Sequence, residues 1–237
     1  MTTVTVGKAK RRRASRGSGE QLRAEIIAAA KELLAQSASS DAVSIRAVAD
    51  AVGVTSPSIY LHFADKDELI AAVVMDVFDE LDAAMVAAGD RESEPMAKLR
   101  AFGMAYVKFA VEHPEHYRVA TMERGIDDAQ GPQAQMDKML ADNAFTHFMA
   151  TVQLCMDAGI FAAGEPLPVA LHLWAAAHGI ASLMIAKPYL PWGDLESTAD
   201  AVLCAAALGR ATGDLIGGDL SPAAVTGWLA DQRAKQA

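Results

Sequence analysis

The segment from residue 44 to residue 66 contains the side chains whose types and spacing most clearly suggest a chemistry. Its sequence, SIRAVADAVGVTSPSIYLHFADK, places hydroxyls, a tyrosine, a histidine and basic residues between apolar positions. Hydroxyl and cationic groups bind phosphate oxygens, and short side chains on one helix can reach base edges in the major groove of DNA. The pattern therefore favours binding to nucleic acid.

Two short helices joined by a tight turn are predicted to hold these side chains. Ser44 is a favourable N-cap for the first helix, and Gly53 can adopt the left-handed conformation that ends it. Ser56 is expected to cap the second helix, which has a proline at its first position and covers residues 57–63. A long helix should follow, opened by the capping pair Asp65 and Glu68.

Helical spacing divides the second short helix into two faces. Ile59 and Phe63 are four residues apart, so they share a face and are expected to point into the core. The side chains left facing outward are Ser58, Leu61 and His62, with Tyr60 on the flank.

The rest of the chain is predicted to be helical, because its apolar spacing stays near the helical repeat and no alternating strand pattern appears. The fold class is therefore all-α. Beyond an initial helix over residues 18–37, the predicted segments are residues 95–112, 114–124, 132–158, 168–186, 195–212 and 222–235.

Charge is distributed unevenly along the 237 residues, whose formal net charge is -9. Residues 1–70 contain 10 Lys and Arg against 8 Asp and Glu, whereas residues 71–237 contain 11 against 22. A polyanion would therefore meet the N-terminal part of the chain. Residues 1–17 form a basic arm predicted to be disordered, which either contacts DNA or is a solvated tail.

Other classes of protein find little support in the sequence. No apolar stretch has the length expected of a membrane span and no secretory leader is recognisable, so a cytoplasmic location is expected. Cys155 and Cys204 lie far apart, without the spacing of a zinc site or a disulfide framework. The G-x-S-x-G, H-E-x-x-H, P-loop and dinucleotide patterns of common enzymes are missing, so neither a catalytic residue nor a bound metal is predicted.

The string GVTSPSIYLHFADKDEL, preceded by SIRAVADAVGV, resembles the TetR family of one-component transcriptional regulators over about residues 20–75. The resemblance implies a three-helix helix-turn-helix DNA-binding domain over residues 18–66 and a larger helical domain for effector binding and dimerisation over residues 67–237. It also implies a double-stranded DNA operator as partner.

The DNA-binding roles implied by the resemblance fall on individual positions. Arg46 would contact guanine, hydroxyls at the helix tip would reach bases or phosphates, and Leu61 would touch a thymine methyl. Tyr60 and His62 would hold the sugar-phosphate backbone, and Lys66 would bind a phosphate together with the start of the long helix. The predicted DNA-binding residues are Ser44, Arg46, Thr55, Ser56, Ser58, Tyr60, Leu61, His62 and Lys66.

The larger domain is expected to bind an effector and a second subunit. Residues 169–186 and 199–212 are apolar on most faces and rich in alanine and glycine, which suits a four-helix interface in a homodimer. Trp174, His178 and the glycine after it resemble the W-x-x-x-H-G signature of one TetR subgroup. The predicted ligand-binding residues are Met104, Tyr106, Phe109, Tyr117, Met122, Phe145, Phe148, Met149, Trp174 and His178.

Three functional interpretations follow. The first is a repressor released from a palindromic operator by a small lipophilic effector of unknown identity, with no other cofactor and no membrane partner. The second is a metal-responsive regulator of the same fold, and the third an all-helical enzyme. At each aromatic position of the larger domain, ordinary core packing is the alternative to ligand contact.

Overall fold

In the computed structural model, residues 18–37, 43–121, 140 and 142–236 are described, and they form ten α-helices and no strand. This confirms the all-α class. The helices are α1 Ser18–Ser37, α2 Ile45–Val52, α3 Ser56–Ile59, α4 Lys66–Gly89, α5 Pro95–Glu112, α6 Pro114–Thr121, α7 Asn143–Asp157, α8 Pro166–Ala186, α9 Leu195–Leu215 and α10 Pro222–Gln236.

Most predicted helices are confirmed, but two predictions were wrong. The second short helix was predicted to run to residue 63, whereas α3 ends at Ile59. The chain after Ile59 forms a hydrogen-bonded turn instead. The helix predicted over residues 132–158 begins at Asn143, because Asp142 adopts an extended conformation and its side chain caps the helix by accepting from the Ala144 and Phe145 N–H groups. The sequence pattern did not reveal this cap.

Several predicted features lie outside the described residues. They are the basic arm over residues 1–17, the ends of the helices predicted to reach residue 124 and to begin at residue 132, and Met122.

The described residues form two compact units that divide within α4, between Asp76 and Val77. The N-terminal unit comprises residues 18–37, 43–76 and 118–121, and the C-terminal unit comprises residues 77–117, 140 and 142–236. The predicted functional boundary at residues 66/67 lies earlier in the same helix.

The N-terminal unit is built around the short helix pair. α1 packs on α2 and α2 packs on α3. Ser44 Oγ accepts a hydrogen bond from the Ala47 N–H at 3.1 Å, which confirms the predicted cap. Gly53 ends α2 with φ at 77°, the left-handed conformation that a side chain would strain. The buried core comprises Ile26, Ile27, Ala30, Leu34, Val43, Val48, Ala49, Ile59, Phe63, Leu69, Ile70 and Val73.

The C-terminal unit is a helical bundle with α8 at its centre. α8 packs against α5, α7 and α9, and α5 also packs against α7 and α9. Large buried side chains such as Phe102, Tyr106, Tyr117, Val152 and Phe161 fill the space between these helices. In contrast, α10 has no buried residue.

Helix α8 corrects one expectation about the membrane. Its length and its mean hydropathy of 1.6 would allow it to cross a membrane, so the expectation that no segment qualifies was wrong. Within this fold 39% of that apolar window is buried, and α8 packs against three neighbouring helices. These contacts are typical of a helix that packs within a protein core.

Candidate functional site

The turn after α3 presents large side chains to solvent between two buried anchors. Ile59 and Phe63 are 0% and 1% exposed, as the helical spacing predicted. Between them, Tyr60 is 53% exposed and Leu61 is 83% exposed. Because the anchors fix the backbone, the intervening side chains are held outward by a rigid support.

The tip of α3 differs in detail from the prediction. Thr55, not Ser56, occupies the N-cap position, and Ser56 and Pro57 are the first two helical residues. The Thr55 side chain makes no capping bond; its hydroxyl instead lies 3.0 Å from the hydroxyl of Ser58. The correction leaves a pair of hydroxyls at the start of the helix that can donate to and accept from a base edge or a phosphate.

The start of α4 is already occupied by carboxylates. Asp65 accepts a hydrogen bond from the Glu68 N–H at 2.8 Å, and Glu68 accepts one from the Ala64 N–H at 2.6 Å. This confirms the predicted capping pair. It also means that two backbone donors near Lys66 are satisfied internally, so a phosphate at this corner would be bound chiefly by the Lys66 ammonium group.

The remaining predicted DNA-binding residues lie on the same unit. Ser44 and Arg46 are exposed at the start of α2, while Ser58, His62 and Lys66 are half-buried. Ser44 accepts from Ala47 as a cap, which leaves its hydroxyl proton available to a partner.

The sequence interpretation missed one basic residue beside this surface. The guanidinium carbon of Arg23, on α1, lies 5.0 Å from the centre of the Phe63 ring, a cation–π arrangement. The start of α1 also approaches the same turn, since a Cβ atom on Gly19 would lie 3.9 Å from the His62 ring. Arg23 sits in an ordinary helical pattern, so only the packing of α1 on the turn identifies it.

In the C-terminal unit, four predicted ligand-binding residues form one hydrogen-bonded cluster, which we call the aromatic cluster: Tyr106, Tyr117, Trp174 and His178. Trp174 Nε1 donates to the Tyr106 hydroxyl at 3.2 Å, and the two tyrosine hydroxyls lie 2.8 Å apart. His178 Nδ1 lies 2.6 Å from the Tyr117 hydroxyl and 3.2 Å from the Tyr106 hydroxyl. Tyrosine hydroxyls from two helices, α5 and α6, thus converge on one imidazole nitrogen of a third helix, α8.

Burial sets the protonation of the aromatic cluster. It raises the pKa of Tyr106 above its ordinary value, although the hydrogen bonds from Tyr117 and Trp174 oppose the shift. Burial also lowers the pKa of His178. Both directions favour the neutral forms, because a charge is poorly solvated inside the bundle.

The other predicted ligand-binding residues surround this cluster to different extents. Phe145 stacks edge-on against Trp174 and against Phe148, with ring centres 6.3 and 6.4 Å apart. Phe109 is buried but packs on His113, outside the hydrogen-bonded group. Met104 and Met149 are half-buried on α5 and α7.

A separate apolar cavity of about 250 Å³ is bounded mainly by α5, α8 and α9. Of the predicted ligand-binding residues, only Phe148 lines it. Arg100 and Cys204 in its lining both contact Asp200, which lies outside the lining: Arg100 donates to the two Asp200 oxygens at 2.5 and 2.9 Å, and the Cys204 thiol lies 3.4 Å from Asp200. The lining residues are Met96, Leu99, Arg100, Gly103, Phe148, Leu173, Ala177, Leu203, Cys204, Ala206, Ala207, Leu208 and Ala211.

Among the described residues, no group of three His, Cys, Asp or Glu side chains is placed to hold a metal ion.

Two domain families match different parts of the sequence. "Bacterial regulatory proteins, tetR family" matches residues 26–73, and "Tetracyclin repressor-like, C-terminal domain" matches residues 99–226, more than half of the chain. The chain belongs to the TetR family. It is a DNA-binding transcriptional regulator, and regulators of this family are typically not enzymes. The subgroup suggested by the W-x-x-x-H-G pattern stays a prediction.

Solved structures share the TetR fold over nearly their whole length. A protein of unknown function from Rhodococcus sp. RHA1 is 26% identical with a TM-score of 0.67, over 80% of this chain and 95% of that chain. The fatty acid degradation regulator FadR from Bacillus halodurans is 14% identical, with a TM-score of 0.64 over 78% and 98%. The TetR family regulator PfmR from Thermus thermophilus is 19% identical, with a TM-score of 0.52 over 77% and 97%. No curated protein matches the chain.

Proposed function

We propose that this TetR-family regulator is a homodimeric, cytoplasmic repressor that binds a palindromic operator and is released by a small lipophilic effector. The observation that carries the DNA-reading part is the exposure of Tyr60 and Leu61 between the buried anchors Ile59 and Phe63. Large side chains that the core does not use, held on a rigid turn, are available for a DNA groove.

Base contacts are assigned to side chains at the starts of α2 and α3 and in the turn after α3. Arg46 can make a bidentate contact with guanine, and Ser58 with its Thr55 partner can bond either a base edge or a phosphate. Leu61 supplies an apolar contact for a thymine methyl. In this arrangement, a few side chains in one major groove determine which operator sequence the protein binds.

Phosphate binding is assigned to Tyr60, His62 and Lys66, with Arg23 as an addition from the structure. Arg23 is exposed and lies over the Phe63 ring beside the turn, so it adds a positive charge to this surface. The excess of basic over acidic residues within residues 1–70 supports the same orientation toward DNA.

A mobility-shift titration with the DNA that flanks the protein's own coding region tests this surface. Tyr60→Ala and Lys66→Ala should weaken binding, and Lys66→Ala should lower the salt slope of the affinity by about one ion. Tyr189→Ala is the matched control, because Tyr189 is 74% exposed but lies in the C-terminal unit. Equal, salt-insensitive binding by wild type and all three variants would overturn the assignment.

The homodimer is proposed from an apolar surface on α8 and α9. Leu183 on α8 is 50% exposed, and Leu208 and Leu215 on α9 are 63% and 78% exposed. Small neighbours such as Ala175 and Ala205 would allow close approach of a second helix pair. A two-fold dimer presents two recognition surfaces, which requires two half-sites of inverted sequence.

Sedimentation analysis of Leu208→Glu tests the dimer. The substitution should shift the protein toward monomer and weaken operator binding, because it places a charge in a desolvated interface. Leu154→Glu is the control: Leu154 is 44% exposed on α7, away from α8 and α9 in sequence. A dimer of unchanged stability in Leu208→Glu would exclude this surface.

The effector is assigned to the aromatic cluster rather than to the apolar cavity. Ligand sites combine an apolar wall with a few polar groups that remain open to the ligand. In the cavity, the Arg100 and Cys204 side chains are both engaged with Asp200. The aromatic cluster instead brings Phe145 and Trp174 next to a half-buried histidine.

The proposed mechanism couples effector binding to DNA release. An effector that binds better to a dimer geometry unsuited to successive major grooves lowers operator affinity by the ratio of its two affinities. A coupling of about 1 to 3 kcal/mol would change operator affinity by roughly 5- to 150-fold. We propose no catalytic activity and no cofactor besides this effector.

A further inference from the structure

The apolar cavity bounded mainly by α5, α8 and α9 shares no residue with the aromatic cluster, so the proposed effector site does not use it. Its volume is about 250 Å³. An apolar cavity of roughly 150 Å³ stays free of water and binds benzene, because water needs polar partners that such walls do not offer. A larger cavity of the same character therefore suits an apolar ligand bigger than benzene.

The walls of this cavity offer few polar partners. Eleven of its thirteen lining residues are aliphatic, aromatic or glycine. The two exceptions, Arg100 and Cys204, both contact Asp200 outside the lining. A ligand inside the cavity would meet mainly hydrocarbon, so the burial of its own hydrocarbon would supply most of its affinity.

The cavity extends along two helices. Its lining runs from Met96 to Gly103 on α5 and from Leu203 to Ala211 on α9, which corresponds to about 10 to 12 Å at the helical rise of 1.5 Å per residue. A volume of about 250 Å³ spread over this length is narrow. This shape suits an extended chain better than a fused ring system.

One end of the cavity is bounded by a contact between α5 and α9. A Cβ atom added at Gly103 would lie 3.0 Å from Leu203 Cδ1, so the Leu203 side chain packs directly against the α5 backbone there. The length of chain that the cavity admits is therefore limited.

Burial distinguishes the floor of the cavity from its mouth. Leu99 and Leu173 in the lining are buried, whereas Arg100, Cys204 and Leu208 are exposed. The closed side of the cavity is thus apolar, and the only two polar lining residues lie on the side that faces solvent. A chain with one polar end can place its hydrocarbon against the floor and keep the polar end in water at the mouth.

We propose that this cavity is a second small-molecule site, which binds an unbranched aliphatic chain whose polar end stays at the mouth. The site stands apart from the proposed operator and from the effector at the aromatic cluster. Because the chain binds the folded C-terminal unit, it also stabilises that unit.

Primary alcohols test the site on the full-length protein by isothermal titration calorimetry. The ligands 1-butanol, 1-hexanol and 1-octanol form a series of chain lengths, and 3,3-dimethyl-1-butanol is a branched isomer of 1-hexanol. Each buried methylene should tighten binding about fourfold, so 1-hexanol should bind roughly 16-fold more tightly than 1-butanol. The branched isomer should bind less tightly than 1-hexanol, because it cannot extend along the cavity.

Cys204 reports whether the alcohol binds in this cavity. Cys155 is buried and Cys204 is exposed, so iodoacetamide should alkylate Cys204 in the native protein. Saturating 1-octanol should slow this reaction, because the chain occupies the space beside the thiol.

Substitutions that fill the cavity give an independent test. Ala207→Leu and Ala211→Leu extend side chains into the cavity and should each weaken the binding of 1-octanol by about tenfold or more. Ala150→Leu is the matched control, because Ala150 is exposed on α7 and lies outside the lining. It should leave the affinity unchanged.

Several results would overturn the site. They are an affinity that does not rise with chain length, equal affinity for the two six-carbon isomers, an alkylation rate of Cys204 that 1-octanol does not change, and equal losses of affinity in Ala207→Leu and Ala150→Leu. The chain-length series and the alkylation rate use the wild-type protein, so the test stands even if Ala207→Leu does not fold. None of these results bears on operator binding or on the aromatic cluster.

Discussion

The two compact units place their candidate sites in opposite ways. In the N-terminal unit, the DNA-binding side chains predicted from the sequence lie in one continuous segment, residues 44–66, and Leu61 among them is 83% exposed. In the C-terminal unit, the aromatic cluster joins Tyr106, Tyr117, Trp174 and His178 from three helices, and its tyrosines are almost fully buried. A surface for a macromolecule can be local in sequence, whereas an enclosed site for a small molecule needs packing between distant segments.

Because of this difference, we expect a substitution in the N-terminal unit to be able to change DNA binding without changing stability. A substitution in the aromatic cluster should change both stability and ligand binding. In the N-terminal unit, the buried residues that anchor the turn are different from the exposed residues proposed to contact DNA. In the aromatic cluster, the same tyrosine hydroxyls stabilise the fold and form the proposed ligand site.

The largest expected effect comes from an anchor of the N-terminal unit. Phe63→Ala removes a side chain that is 1% exposed and the ring beneath Arg23, so it should destabilise this unit by about 3 to 5 kcal/mol and abolish operator binding. Leu61→Ala, two residues away, should weaken operator binding without lowering the melting temperature. Thermal denaturation and mobility-shift titration of both variants check this; a destabilised Leu61→Ala protein would break the comparison.

A smaller effect is expected from removing one tyrosine hydroxyl in each unit. Tyr106→Phe takes away the acceptor of Trp174 Nε1 within the bundle, which should cost about 1 to 3 kcal/mol of the free energy of unfolding. Tyr60→Phe alters a side chain that is 53% exposed, so it should leave stability unchanged while lowering operator affinity. Denaturant unfolding compares the two. Equal losses of stability would show that the two units do not differ in this respect.

The smallest expected effect concerns a surface cap of the C-terminal unit. Hydrogen bonds from the Ser197 side chain and backbone lower the pKa of Asp194, which caps α9. A carboxylate with a lowered pKa in the folded state contributes stability above its unfolded pKa and loses it as the pH falls through the folded pKa. Asp194→Ala should therefore lower the melting temperature slightly at pH 7, and the difference should shrink below the ordinary value of 3.8. A difference independent of pH would exclude the carboxylate as its source.

Much of the N-terminal site could be predicted from the sequence because its determinants are local. The Ser44 cap, the turn at Gly53 and the opposite faces of Ile59 and Leu61 depend on residues within one or two helical turns of each other. The errors were also local in origin: Thr55 replaced Ser56 as the cap, and α3 ended at Ile59.

In the C-terminal unit, the sequence determined that the chain is helical and which aromatic residues are available, since both follow from apolar spacing and composition. Only the tertiary structure decided that Tyr106 and Tyr117 meet Trp174 and His178, and that Phe109 packs elsewhere. It also placed Arg23 over Phe63 in the N-terminal unit. The physical reason is the same in each case. Local backbone preferences are encoded within a few residues, whereas hydrogen bonds and ring contacts between distant helices depend on how the whole bundle packs.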